Sequence, residues 1–142
     1  MKLKKVKGYI SSREINGAII PQKVQNLVIR EYCKNKNFIY HLSSVEHKMK
    51  NTFHVLDEVI KNLSNVNGIV MYSIFQLPYD EKKRVIIMKK LFKKSKFLSF
   101  AIENVTVKNF KELAKLNSII KLNFLLKYCE KNISCLSNSK IL

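Results

Sequence analysis

The stretch KKVKGYISSREINGAIIPQKVQNLVIREYCKNK, residues 4–36, decides the fold. Residues 4–10 form a strand, with Val6 apolar and Gly8-Tyr9-Ile10 leading into a polar loop. That loop spans residues 11–20, and Asn16-Gly17 is its turn signal, since both residue types tolerate a left-handed backbone. Pro21 suits a first helical turn, where its missing N–H costs nothing. The helix should run to about Lys36, with Val24, Leu27, Val28 and Tyr32 on its buried stripe.

The same alternation continues outward. Residues 38–42 give a second strand, and Asn51 or Thr52 can cap a helix whose apolar face is Phe53, Leu56, Val59, Ile60 and Leu63. GIVMYS, residues 68–73, is apolar enough for a central strand covered on both faces. Pro78 closes the next loop, Asp80 caps a helix over residues 81–94, and residues 97–102 give a fourth strand. Asn109, with Glu112 three places on, reads as a variant capping box for a last helix over about residues 110–131. Leu113, Leu116, Ile119, Ile120, Phe124, Leu125 and Leu126 make that helix apolar on more than one stripe, which suits packing on two surfaces, including a homodimer contact. Residues 132–142 are Ser/Asn-rich and read as a frayed tail behind a domain of residues 1–131.

Strands alternating with helices over short connections imply a single three-layer α/β domain. Its sheet is mostly parallel, with four or five strands and right-handed crossovers. Ligands in such sheets bind beyond the carboxyl ends of the strands, near a switch in strand order. Four loops meet that description: residues 11–13, 43–47, 73–76 and 103–104.

Ser11, Ser12 and Arg13 offer two hydroxyls, a guanidinium and backbone N–H groups, a set that can bind an anion or simply form a solvated loop. Gln22, Asn26 and Arg30 are four apart on one helix face, beside Gln25, and either overlook the same mouth or form an exposed polar face. Tyr72, Ser73 and Gln76 would line the mouth, with Asn104 across from them. Glu103 can act as a general base or hold a sugar hydroxyl, or it can pair with Arg13 in a structural role. On the catalytic reading, Glu103, Arg13 and Ser12 carry the chemistry. Glu46 and His47 are a second acid/base pair, whereas His41 and His54 read as strand and surface histidines.

Composition narrows the partners. The 142 residues carry 27 Lys plus Arg against 10 Asp plus Glu, a formal net charge of +17. Of the basic residues 24 are Lys and 3 are Arg, and Lys, Asn and Ile together make 54 positions. Those three amino acids share A/T-rich codons, so part of the charge reflects codon bias. Arg, the phosphate-clamping fork, is scarce, which ranks nucleic acid below a small anion as partner. The basic run Lys82-Lys83-Arg84 with Lys89, Lys90, Lys93, Lys94 and Lys96 reads as a solvated helix face, ahead of a face for an anionic partner such as nucleic acid, anionic lipid or a nucleotide. Cys33, Cys129 and Cys135 match no zinc spacing, and reduced thiols suit a cytoplasmic protein. No stretch has the length of a membrane span, and the N-terminus lacks the apolar run of a signal peptide. Dinucleotide, P-loop, zincin and nucleophile-elbow motifs are absent, and three glycines cannot build a glycine-rich phosphate cradle. Neither a metal nor a cofactor is implied.

Three segments, GYISSREINGAIIPQKVQNLVIREYC (residues 8–33), NGIVMYSIFQLP (67–78) and FAIENVTVKN (100–109), resemble the bacterial sporadic carbohydrate cluster proteins over about residues 8–128. The resemblance implies a role in surface-polysaccharide or sugar-nucleotide biosynthesis, and a phosphorylated or nucleotide-linked sugar as the anionic ligand. It brings no particular reaction with it. GYISSR and SIFQLPYD also resemble, more distantly, motifs of the serine recombinase (resolvase) catalytic domain. By position the first-strand arginine of that family falls on Ser11 and its nucleophilic serine on Arg13; its later Asp, Arg and Arg fall on Phe75, Gln76 and Tyr79. Ser12 stands one place from the nucleophile, but phosphoryl transfer still lacks the arginines that stabilise its transition state. This second resemblance implies the recombinase fold without strand exchange, and an alternative role as a non-catalytic module binding nucleic acid or protein.

Overall fold

In the computed structural model, which describes residues 2–47 and 53–139, five strands form one sheet. They are β1 (Lys5–Ser11), β2 (Ile39–Glu46), β3 (Gly68–Met71), β4 (Phe97–Phe100) and β5 (Val105–Val107), in the order β2-β1-β3-β4-β5. The first four run parallel, and β5 pairs antiparallel with β4. Helices α1 (Gln22–Asn35), α2 (His54–Lys61), α3 (Glu81–Lys93) and α4 (Phe110–Ser139) complete the α/β architecture read from the sequence. The strand order turns at β1, so the loops after β1 and β3 flank the switch point where such sheets hold ligands.

The two faces of the sheet are covered unequally. On one, Ile69, Met71, Leu98 and Phe100 pack against Leu56, Val59 and Ile60 of α2, Ile87, Met88 and Leu91 of α3, and Leu113, Leu116 and Ile120 of α4. On the other, Val6, Ile10, Val70 and Phe97 meet Ile29, Tyr32 and Cys33, all from α1. This corrects the stripe expected for α1. Tyr32 is buried as expected, but Val24 and Leu27 are exposed and Val28 is only half-buried; the buried set is Gln25, Ile29, Tyr32 and Cys33. Those four stand at i, i+4, i+7 and i+8, a complete helical face that includes one polar residue. A Gln inside the apolar stripe was what hid it.

Other boundaries move as well. β2 continues to Glu46, through residues expected to form a loop, because Ser44, Val45 and Glu46 keep pairing with Tyr9, Ile10 and Ser11 across a register shift. Gly8 sits at that shift; a Cβ there would lie 2.1 Å from Ser43 Oγ, so only glycine admits the β2 side chains so close to β1. The fourth strand ends at Phe100, and a turn carries the chain into β5, a strand the apolar pattern did not isolate. Asp80 caps α3 as expected, accepting from Lys82 N at 2.9 Å. Asn109 accepts from Glu112 N at 3.0 Å, while the Glu112 carboxylate reaches back to Lys108 N. The last helix does not end at residue 131: it runs to Ser139, over residues expected to fray. The proposed Asn51 or Thr52 cap for α2 lies outside the described residues.

Arg84 breaks the picture of a solvated basic helix. It is 3 % exposed; Nη1 donates to the carbonyls of Pro78 (3.0 Å) and Tyr79 (2.6 Å), and Nε donates to Asn117 Oδ1 of α4 (3.0 Å). Burial pulls its pKa below the ordinary arginine value, with Glu81 and Asp80 opposing the shift. One guanidinium therefore ties the loop after β3, α3 and α4 together.

Candidate functional site

The strand ends at the switch point do gather most of the residues named from sequence, but they spend them on each other. Gln25 and Gln76, 0 % and 2 % exposed, fill the crevice. Gln25 Nε2 donates to Ser11 O (2.7 Å) and Ile20 O (2.8 Å), while Gln25 Oε1 accepts from Ser11 N (3.1 Å). Gln76 Oε1 accepts from the N–H groups of Tyr72 (2.8 Å) and Ser73 (3.2 Å), and its Nε2 donates to Ser11 Oγ (3.0 Å) and Gln25 Oε1 (3.1 Å). Two amide side chains thus satisfy the frayed ends of β1 and β3, which parallel strands leave open where pairing stops.

Both carboxylates act as caps. Glu103 Oε1 accepts from Ser73 Oγ at 2.6 Å and its Oε2 from Ile74 N at 3.1 Å, closing the short 3₁₀ turn Ile74–Gln76. Ser73 Oγ in turn accepts from Phe75 N. This is the shortest hydroxyl–carboxylate contact in the cluster, and Ser73 is only 3 % exposed and holds the turn. Glu46 is buried and accepts from Val55 N and Leu56 N at the start of α2, replacing a local cap. His47, its proposed proton-transfer partner, is exposed.

Arg13 is half-buried. Its guanidinium lies 4.0 Å from the centroid of Phe53, and Nη2 donates to Tyr9 Oη (2.9 Å) and Gln76 O (3.4 Å). Tyr9 Oη donates onward to Glu46 Oε2 at 3.1 Å, so a chain of bonds runs from Arg13 through Tyr9 to the first turn of α2. Burial drives the Tyr9 pKa far up; Arg13 pulls against it and Glu46 adds to it. Ser12 Oγ donates to Glu46 O at 3.3 Å.

Four named residues lie elsewhere. Asn26 Oδ1 accepts from Tyr40 Oη (3.1 Å) and Ser43 Oγ (2.8 Å), and Arg30 sits 5.6 Å from the Tyr40 ring centroid, so this row of α1 covers β2. Gln22 stands half-buried at the start of α1, in the same row. Asn104 is exposed in the turn before β5, with φ 52°, and lines a groove with Val28 and Tyr32. Hollows open between the Ile74–Gln76 turn and α4 and between α2 and α3, and neither is lined by Ser11, Ser12 or Glu103. Among the described residues no His, Cys, Asp and Glu cluster could hold a metal, and no helix is long and apolar enough to cross a membrane.

The surface with an unmet physical demand is α4. Its core contacts end at Ile120, yet 19 further helical residues follow. Ile119, Leu122, Leu126, Cys129 and Ile133 step by three and four in strict alternation, and Leu136 continues the spacing. The first three and Ile133 are 46 %, 58 %, 55 % and 66 % exposed, and Cys129 is exposed too. At about 100° per residue this seam lies about 130° round the helix from Leu113, Leu116 and Ile120. The sequence showed a helix apolar on two sides; the heptad emerges once the core side is known.

No protein family matches the chain, and no curated protein does. Among solved structures the N-terminal catalytic domain of TP901-1 integrase is similar, with a TM-score of 0.58 and 12 % identity over 89 % of this chain and 98 % of that domain. At that identity the likeness is one of fold, and it bears out the resolvase-like reading of the architecture. The resemblance to sporadic carbohydrate cluster proteins finds no counterpart in these comparisons.

Proposed function

We propose that the chain is a non-catalytic module on a resolvase-like fold that works by protein association, pairing with a second copy through α4. The observation that carries this reading is the exposed heptad from Ile119 to Ile133. Ile, Leu and Ile occupy the a positions, and Leu and Cys the d positions, with Leu136 next. Ile at a with Leu at d favours a parallel two-stranded coil. A lone helix carrying such a stripe is marginal in water, so its length calls for a partner. The strand-end cluster supports the non-catalytic half: Ser73 and the two carboxylates cap a turn and a helix, and Ser11 and Ser12 are bonded within the cluster.

Light scattering should show a dimer that Leu126→Asp converts to a monomer with an unchanged fold by circular dichroism. In a parallel coil the two Cys129 side chains face each other at d. With Cys135 replaced by Ser, diamide should therefore join the protomers by a disulfide. A monomeric wild type at about 100 μM, well above the dissociation constant of a functional coil, would end the proposal.

A second reading keeps a phosphorylated or nucleotide-linked sugar at the strand ends, in the setting the carbohydrate-cluster resemblance implies. What favours it is Arg13, a half-buried cation beside the switch point with Ser12 and Tyr72 half-exposed nearby. On that reading Arg13→Ala abolishes binding of a sugar phosphate in calorimetry, while Leu126→Asp leaves it intact. Nucleic acid ranks lower still, and a binding constant that collapses with added salt would be its mark.

A further inference from the structure

The Asn16-Gly17 turn does more than reverse the chain. Asn16 and Gly17 have φ of 53° and 85°, and bonds of 2.7 and 3.2 Å between Ile15 and Ala18 close the turn. Its tip is held from a distance of 111 residues: Lys127 Nζ of α4 donates to Asn16 O at 3.2 Å and to Asn16 Oδ1. Below this tie lies a cavity of about 190 Å³. Phe75, Leu77, Tyr79, Ile120 and Phe124 wall it, and Asn123 and Lys127 stand with Asn16 among its polar lining. Tyr79 and Phe124 meet edge to face, with centroids 5.5 Å apart.

Size and charge together select an occupant. An apolar cavity near 150 Å³ accepts benzene, so this one has room for a single ring with a small substituent. Among the described residues Lys127 donates to two neutral oxygens of Asn16, and the ion pair found there, Lys90–Asp57, is elsewhere. A cation at the margin of an aromatic-walled space favours an anionic group on that ring. A sugar phosphate, polar on every side, suits these walls poorly.

We propose that the cavity binds a small aromatic monocarboxylate, its ring against Phe75 and Phe124 and its carboxylate on Lys127. This site is separate from α4's dimer seam and from the strand-end cluster. Nitrogen–proton NMR of the full chain titrated with benzoate, benzamide and acetate tests it. Benzoate should give saturable shifts at the amides of Asn16, Gly17, Phe124 and Lys127, in the millimolar range expected for a ligand of about nine heavy atoms. Benzamide, isosteric but neutral, should bind about fivefold more weakly, and acetate should shift none of these amides. Lys127→Gln should remove the preference for benzoate, and Lys127→Arg should restore it. Equal affinity for benzoate and benzamide, or shifts spread along the Lys-rich face of α3, would overturn the proposal. A preference that survives in the well-folded Lys127→Gln protein would do so too.

Discussion

Replacing Gln76 with Leu tests whether the switch-point crevice is a plug or a binding site. Leu matches the glutamine closely in volume, so little packing is lost and the cost is polar. The N–H groups of Tyr72 and Ser73 lose their acceptor, and Ser11 Oγ and Gln25 Oε1 lose a donor. Gln25 Oε1 keeps Ser11 N, so its loss is small. Each orphaned buried N–H costs about 1–3 kcal/mol, and Tyr72 is half-buried, which places the total at about 2–5 kcal/mol. Whole-domain stability is about 5–15 kcal/mol, so a large share of it hangs on one uncharged side chain. With a urea m-value of about 2 kcal/mol/M, the unfolding midpoint should fall by about 1–2.5 M at unchanged m. Gln22→Leu, in the half-buried opening turn of the same helix as Gln25, should shift stability by less than about 0.5 kcal/mol. If Gln76→Leu unfolds within about 1 kcal/mol of wild type, the network is not holding the strand ends. The crevice would then be free for a ligand, and the sugar reading would move ahead of the association reading.

Arg84→Met should cost about 1–3 kcal/mol in the same titration, because the loop carbonyls and Asn117 lose a charged donor while the burial penalty of the guanidinium is relieved. Hydrogen exchange should also quicken at the α4 amides around Asn117, and unchanged exchange there would mean that the guanidinium does not couple the loop to α4. Cys33 gives a pH test. Burial pushes its thiol up to about 11 from 9.0, so the folded state holds its proton more tightly than the unfolded chain. That contribution is fully present below about pH 9 and is lost as pH rises through 11, a fall of about 2–3 kcal/mol that Cys33→Ala should remove. A wild-type curve that stays level from pH 8 to 11 would refute it, as would iodoacetamide labelling Cys33 as fast as the exposed Cys135.

Periodicity served where one environment acted on a whole element. Residues 68–71 lie between two helical layers, so their unbroken apolar run announced a central strand. Capping worked for the same reason: Asp80 and Asn109 meet their N–H partners within three residues. The strand-end residues failed that test because their partners are remote. Gln76 reaches Ser11 across 65 positions, and Glu46 reaches Tyr9 across 37. A polar side chain near a strand end looks alike in sequence whether it awaits a substrate or ties off a backbone group. Here it ties off backbone groups at Gln25, Gln76 and Glu103, and caps α2 at Glu46.

That distinction bears on how the strand ends of such a fold are satisfied. Parallel strands that stop at a switch point leave unpaired N–H and C=O groups, and a bound substrate or catalytic arginines can satisfy them only in part and only when present. Ser11, small and polar at the end of β1, gives Gln25 and Gln76 room to close over β1 and β3 with neutral hydrogen bonds. A neutral plug avoids the several kcal/mol of desolvation that each buried guanidinium would demand. The one arginine that is buried, Arg84, sits at the junction with α4, where its cost is offset by two bonds to loop carbonyls and one to Asn117 of α4. Gln25 and Gln76 close the ends of β1 and β3 with uncharged amides, while the buried carboxylate beside them, Glu46, is held by the N–H groups that open α2.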